Sequence, residues 1–304
     1  MKSLIKFLGK LFVTFATLYY VFNNIISNNI NLNFKILNFN SFLILILIVV
    51  LSYLLLSLRL SIISENKVNF FDLLKINIIS SFFSNLSSVG SDLIRILMLK
   101  KKIQLISSFT YIFCDRVIGI ISKLIFIFIS IILLAKINNL IIFCVFIFLI
   151  LISYLLFLKV LPHMFNFVNN LNLLKKYQFQ PKIFKSIANL KKFIPLIVIC
   201  FMCNFLQVAF IYVISIFYDD SIKLIESLVI GPITMVMSSL PISLGGWGIR
   251  EVTMIHGYNL FDIPSQTALI ISITIGVTNL LISFFFTTIL FAYGFIRDLK
   301  KNEK

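Results

Sequence analysis

The sequence predicts an all-α polytopic membrane protein, and three observations predict it. Of 304 residues, 60% are apolar and only 12% are charged, against about 45–50% and about 25% in soluble domains. Mean hydropathy is +1.06. Several uncharged apolar runs are close to the ~20 residues that one helical crossing needs. These values exclude a soluble globular domain and make lipid the solvent for most of the chain. The formal net charge of +16 would suggest nucleic acid in a soluble protein; here it sorts the connections between spans into sides of a bilayer. Cys114, Cys144, Cys200 and Cys203 all lie inside apolar runs and read as small core residues, with no disulfide framework and no metal reading for Cys200-x-x-Cys203.

Six runs read as spans: residues 11–26, 42–58, 103–135, 137–158, 193–218 and 263–296. The third is interrupted by Asp115, Arg116 and Lys123. The sixth exceeds one bilayer thickness, so its first turns after Pro264 lie in the interface or the helix tilts. Lys2, Lys6 and Lys10 precede the first run, but no small-residue cleavage site follows, so a retained span is expected and not a cleaved signal. Two further runs, 76–91 and 227–249, fit badly as crossings. The first is rich in Ser and Asn, and the second is broken by Gly231, Pro232, Pro241 and a glycine cluster.

Basic residues collect at Lys2, Lys6 and Lys10, at Arg59, Lys67 and Lys75, at Arg95 and Lys100 to Lys102, through 159–192, and at Arg297, Lys300, Lys301 and Lys304. With these cytoplasmic, both termini are inside. The two awkward runs then re-enter from opposite faces, the first from the cytoplasm and the second from outside. The 159–192 loop mixes Lys with Leu and aromatic residues and is expected on the anionic lipid surface, each Lys adding about 1 kcal/mol of attraction; nucleic acid is not expected as a partner.

Ser88-Val89-Gly90-Ser91-Asp92-Leu93-Ile94-Arg95 aligns with Ser243-Leu244-Gly245-Gly246-Trp247-Gly248-Ile249-Arg250, matching Ser, Gly, Ile and Arg. The offset is 155 residues (243 − 88), about half the chain. The whole 1–304 chain therefore reads as one membrane domain with inverted repeat halves 1–135 and 136–304, each carrying a broken helix, as in many transporter folds.

Irregular backbone at membrane depth needs protein or water around it, so the Gly-rich turn implies a polar cavity. A helix beginning near Ile249 would aim its free N–H groups there, which suits an anionic group such as a lipid phosphate. Arg95 and Arg250 offer planar donor forks for phosphate and cannot shed their protons. Asp92 and Glu251 then serve as resting counter-ions or attract a cationic headgroup, and Asp115 either takes a role in the cavity or is a structural partner of Arg95 or Arg250. Two structural readings stay open beside this one: Arg95 as an interfacial loop residue, and Arg250–Glu251 as a plain ion pair. Asp115 and Arg116 diverge by about 100° around their helix, so at least one faces the protein interior. His256 reads as packing, and Trp247 as part of an interfacial belt. The expected headgroup-binding set is Ser88, Gly90, Asp92, Arg95, Asp115, Arg116, Ser243, Gly245, Gly246, Arg250 and Glu251.

Pro241-Ile242-Ser243-Leu244-Gly245-Gly246-Trp247-Gly248-Ile249-Arg250-Glu251 resembles the P-x-S-x-G-G-x-G-x-R-E signature of the lysylphosphatidylglycerol synthase transmembrane-region family. Gly90-Ser91-Asp92-Leu93-Ile94-Arg95 and Asp115-Arg116-Val117-Ile118-Gly119 resemble its G-G-D/E-x-x-R and D-R-x-x-G elements, in the same order. The resemblance covers roughly residues 5 to 298. Ser91 replaces a common Gly, and Leu86 stands where a Pro often occurs. The resemblance implies a flippase-like module of a bacterial or archaeal cytoplasmic membrane, moving an anionic phospholipid or a polyprenyl-phosphate-linked lipid between leaflets. The chain stops at Lys304, so the cytosolic acyltransferase-like domain of some members is not expected, and neither is aminoacyl-lipid synthesis. No Walker loop, H-E-x-x-H or D-x-D pair occurs; no cofactor or metal is expected, and movement would run downhill or with an ion gradient. A lipid-modifying transferase using Asp92 or Glu251 as base, or an accessory subunit of one, is the alternative.

Overall fold

The computed structural model describes Thr14, Ala16, Thr17, Tyr19 and residues 38–134, 189–219, 221–240 and 242–302. Most of the expected span 11–26, the whole of 137–158, nearly all of the basic 159–192 loop and the 135/136 repeat boundary lie outside these residues. The described residues form helices joined by turns, with no strand among them.

Eight helices follow in order: α1 (Phe39–Ile63), α2 (Phe70–Ser84), α3 (Ser88–Lys100), α4 (Leu105–Leu134), α5 (Leu190–Tyr218), α6 (Leu224–Ser239), α7 (Ile249–Asn259) and α8 (Ser265–Asn302). The pattern of a long helix, a hairpin of two short helices and another long helix thus occurs twice. Among the described residues α1, α5 and α8 are long and apolar enough to cross a membrane. The 30-residue α4 has the length, but Asp115, Arg116 and Lys123 interrupt its apolarity, at the positions the sequence marks. α8 starts directly after Pro264 and runs unbroken for 38 residues, about 57 Å at 1.5 Å per residue, so a tilt or an emerging end is required of it in a bilayer.

Local chemistry sets the helix ends. The Ser87 hydroxyl accepts from the Gly90 amide at 3.3 Å and starts α3, and Asn189 Oδ1 accepts from the Lys191 amide at 3.1 Å at the start of α5. Glu226 Oε2 accepts from the Lys223 amide at 3.0 Å and closes the first turn of α6. Pro232, within α6, has no N–H to donate; the neighbouring Gly231 lets the helix pack tightly on Val208 and Ile211 of α5.

Two apolar cores fix the orientation of these helices. In one, Leu60 and Ile63 at the end of α1 meet Leu73 and Leu99 at the open end of the α2–α3 hairpin, together with Ile112 of α4 and Leu196 of α5. In the other, Leu45 and Ile48 of early α1 meet Ile214 of late α5, Ile222, Tyr258 of α7 and Ile263. The end of α1 therefore lies beside the start of α5 and its start beside the end of α5, so the two helices are antiparallel. The α2–α3 and α6–α7 hairpins open toward opposite ends of the molecule.

Their tips meet between the two cores. The Asn85 carbonyl lies so close to Gly245 that a Cβ there would sit 1.9 Å from it. The Asn85 amide also donates to Ser283 Oγ on α8 at 3.1 Å, and Arg116 on α4 donates to the Ser239 carbonyl at 3.1 Å. Each tip is thus held by a long helix of the other half.

The two ends differ in charge. Around the open α2–α3 hairpin stand Lys67, Lys75, Lys100 to Lys102, Lys191 and Lys192, with Glu65 and Asp72 bridging to Lys192 (2.9 Å), Lys67 (3.2 Å) and Lys102 (3.1 Å). The hydrogen bond that Lys67 donates to the Glu65 carboxylate raises the pKa of Lys67 and keeps it charged. The opposite end presents Lys223 beside Asp219, Glu226 and Asp262.

Sequence and structure differ in two respects here. The re-entrant hairpins run from 70 to 100 and from 224 to 259, well beyond the apolar runs 76–91 and 227–249. A hydropathy reading stops at Asp92, Arg95, Arg250 and Glu251, whereas the fold carries those charges inward on the second arm of each hairpin. The internal alignment also shifts register. Ser88 opens α3 but Ile249 opens α7, so Arg95 lies two turns into its helix and Arg250 in the first turn. Matching the helix starts gives an offset of 161 (249 − 88), not 155.

Gly245 has φ +59° and faces backbone, not a flexible side chain. Gly245→Ala is expected to cost more than ~2 kcal/mol, from left-handed strain plus a forced retreat of Asn85, and to lower the melting temperature of the detergent-purified protein.

Candidate functional site

Every one of the eight helices contributes to a cavity of about 460 Å³ where the hairpin tips meet. Its wall is unusual for membrane depth. It includes Arg59, Asp92, Arg95, Asp115, Arg116, Lys123 and Arg250, with the amides of Asn77, Asn204, Gln207 and Asn279 and a series of serine hydroxyls between them. Most of these serines, such as Ser81, Ser84, Ser239 and Ser283, donate to a carbonyl three residues back in their own helix, so their hydroxyl protons are already used.

The charges are arranged in three groups. Asp115, 1% exposed, accepts from Arg59 Nε at 2.5 Å and from Arg95 at 2.9 Å. Asp92 accepts from Arg116 at 2.6 Å and lies 4.0 Å from Arg95. Because Asp115 and Arg116 are consecutive on a helix, they point about 100° apart, and both are used: Asp115 clasps α1 and α3, while Arg116 reaches Asp92 and the second hairpin tip. Glu251 is fully buried. It accepts from the Gly248 amide, from Arg250 at 2.7 Å and from Ser272 at 3.1 Å.

Arg250 is fixed on three sides. Glu251 holds its edge, Trp247 stacks on its face at 4.5 Å, and Gly276 of α8 leaves room that a Cβ, only 2.3 Å from the guanidinium, would fill. Gly246 and Gly248, with φ +82° and +85°, make the turn. At the same loop the Leu244 amide donates to Thr14 Oγ1 at 3.0 Å.

Of the expected site residues, Asp92, Arg95, Asp115, Arg116, Gly245 and Arg250 line the cavity. Ser88 opens α3, and its side chain is outside the described residues. Gly90 gives its amide to the Ser87 cap, Gly246 packs against Ser238 as part of the turn, and Ser243 is buried with no hydrogen-bond partner for its hydroxyl among the described residues. Glu251 stands behind Arg250, away from the cavity.

Several expectations are corrected. The start of α7 is not an open set of N–H groups, since Glu251 occupies the Gly248 amide and the Arg250 and Val252 amides donate to Gly246 and Gly248 carbonyls; charged side chains supply positive character to the cavity wall. Arg95 is not an interfacial loop residue, because its side chain is only 11% exposed and paired to Asp115. Trp247 belongs to the hairpin tip and supports Arg250, and is not part of a belt. Arg59, grouped by sequence with the cytoplasmic cations, is buried against Asp115 and Cys200.

The sequence reading missed Arg59, Lys123, Gln207 and Asn279. A signal existed for one of them: Arg116, Gly119, Ile120 and Lys123 repeat at helical spacing along one face of α4, and all four line the cavity.

A helical membrane module with two hairpins meeting at a charged central cavity is the class that fold and site define. The lysylphosphatidylglycerol synthase TM region family matches residues 7–290, and the chain belongs to that family. No curated protein and no solved structure matches it.

Removing the carboxylate from Asp115 strands two buried cations. Asp115→Asn is expected to destabilise the protein by ~3–5 kcal/mol, read as lost thermal stability in detergent. Adding Arg59→Gln should recover part of the loss, because one of the two stranded charges goes with it.

Proposed function

We propose that this protein binds the headgroup of an anionic phospholipid or polyprenyl-phosphate-linked lipid in the central cavity and carries it between leaflets. The observation that carries the reading is the placement of Arg95 and Arg250, one from each hairpin, on one polar cavity between two membrane-embedded cores. A headgroup phosphate is the ligand that such forks suit, and an anion there would meet the cations that the cavity's own carboxylates leave incompletely paired. The acyl or isoprenoid tails stay in lipid while the headgroup takes the polar route. Transfer of this kind requires no nucleophile.

The antiparallel hairpins support alternating access by rocking one half against the other around a fixed site. On this reading residues 1–135 and 136–304 are the two moving halves. The lysine-rich end is cytoplasmic by the positive-inside rule, which puts the end of α8 inside as well, in a bacterial or archaeal cytoplasmic membrane. The basic 159–192 segment would lie against the same anionic leaflet.

Reconstitution into vesicles with a labelled phosphatidylglycerol tests the proposal. The wild-type protein should accelerate exchange of the label between leaflets, and Arg250→Ala should slow it by at least about tenfold, the loss of one charge-assisted bidentate contact. Equal rates would remove Arg250 from the transport step.

A further inference from the structure

The cavity carries more positive charge than its own carboxylates neutralise, and the surplus has a definite size. Five cationic side chains line it: Arg59, Arg95, Arg116, Lys123 and Arg250. Three carboxylates answer them: Asp115, Asp92 and, behind the wall, Glu251. Arg250 is matched by Glu251 and Arg116 by Asp92, while Asp115 serves Arg59 and Arg95 together. With Lys123 protonated, two positive charges remain over.

They can be located. Lys123 has no carboxylate and no hydrogen-bond partner among the described residues, although it lies on the cavity wall two turns beyond Arg116 on the same face of α4. The second is the shared charge of the Arg59–Asp115–Arg95 group, where the buried Arg95 Nε finds no acceptor among the described residues. The uncharged groups nearby add donors: Gln207 and Asn279, also without hydrogen-bond partners among the described residues, line the same space.

Charges inside a bilayer persist only when paired, so the ligand that fits is one bringing two negative charges. A phosphodiester headgroup brings one. A terminal phosphate, ionised twice above its second pKa of about 6, brings nearly two. An amine on the headgroup would enlarge the surplus that it has to cancel. Resting on the lipid-headgroup reading above, we propose that the cavity selects a doubly charged phosphate, as on a lipid ending in a phosphomonoester, and that Lys123 is the residue that distinguishes it from a phosphodiester.

Binding of dioleoyl phosphatidic acid and dioleoyl phosphatidylglycerol to the full chain in nanodiscs, at about pH 7, above the second phosphate pKa of about 6 and low enough to keep Lys123 protonated, tests this. Wild type should favour phosphatidic acid by about tenfold or more, the step expected of one further charge-assisted contact. Lys123→Gln should collapse that ratio to within about twofold, and Lys123→Arg should retain it, because charge and not shape is being read. Soluble glycerol 3-phosphate should fail to displace phosphatidic acid at equal concentration.

Equal wild-type binding of the two lipids would overturn the double-charge inference and leave lipid binding standing. An unchanged ratio in Lys123→Gln would overturn the role of Lys123. Displacement by glycerol 3-phosphate as effective as by the lipid would uphold the doubly charged pocket and overturn the lipid reading, and binding of neither lipid would overturn both. Should Lys123→Gln fail to fold, the wild-type ratio decides.

Discussion

A cation at membrane depth must meet a counter-charge inside the protein, because lipid supplies none and the guanidinium does not deprotonate. In this chain Asp115 meets that requirement for two arginines at once. It sits on α4 and draws in Arg59 from α1 and Arg95 from the first hairpin, so one carboxylate ties three elements that sequence separates by up to 56 residues. Asp92 extends the network through Arg116 to the Ser239 carbonyl at the second tip. Charged groups that would be prohibitive singly thus become cross-links between helices. The apolar cores at either end of the molecule do not have to bring the hairpin tips together unaided.

The same constraint acts on the backbone. Where a helix stops at membrane depth its terminal N–H and C=O groups have no water to fall back on. The first tip answers with side chains: the Ser87 hydroxyl caps α3, and the Asn85 amide binds Ser283. The second answers with glycine and a carboxylate, as three left-handed residues bend the chain and Glu251 takes the Gly248 amide. Close approach of Asn85 to Gly245 requires that neither tip carry bulk at the contact. Small residues at the meeting point are a geometric condition of the cavity, and the serines and asparagines around it supply polarity that a purely glycine-lined turn would lack.

Much of the architecture was legible in the sequence. Length and apolarity marked α1, α5 and α8, and the Ser-, Gly- and Pro-rich interruptions marked both hairpins. The sidedness of the lysines anticipated that the hairpins enter from opposite ends. The partnership of Asp115 with Arg95 was among the pairings the residues allowed. What sequence could not show was tertiary. Arg59 looked like one more cation at a helix end until α4 and α5 packed against it. Trp247 looked like a belt residue until Arg250 lay across its ring. The free N-terminus expected of α7 was closed by a carboxylate two positions into its own helix, a local contact that the resemblance to a phosphate-binding helix start obscured. Hairpin bounds went astray because hydropathy treats a charge as an exit from the membrane, which holds only for a charge that finds no partner.

The two halves solve one problem in unequal ways. Arg95 lies two turns into α3 and finds its carboxylate on another helix, with a second, Asp92, at 4.0 Å on its own. Arg250 lies in the first turn of α7 and finds its partner next door in sequence, with Trp247 and Gly276 closing the remaining sides. A guanidinium placed between two carboxylates on different helices can change partners when those helices shift, whereas one enclosed by its neighbour, a ring and a glycine moves only with its own hairpin. Repeat symmetry in the fold therefore does not extend to the charges. The first hairpin's arginine belongs to a network spanning the halves, and the second's belongs to a rigid tip. On the function proposed, an anion entering the cavity would meet one fixed arginine from the second hairpin and one shared among several carboxylates from the first, and this asymmetry is built by the register difference between helices that otherwise repeat each other.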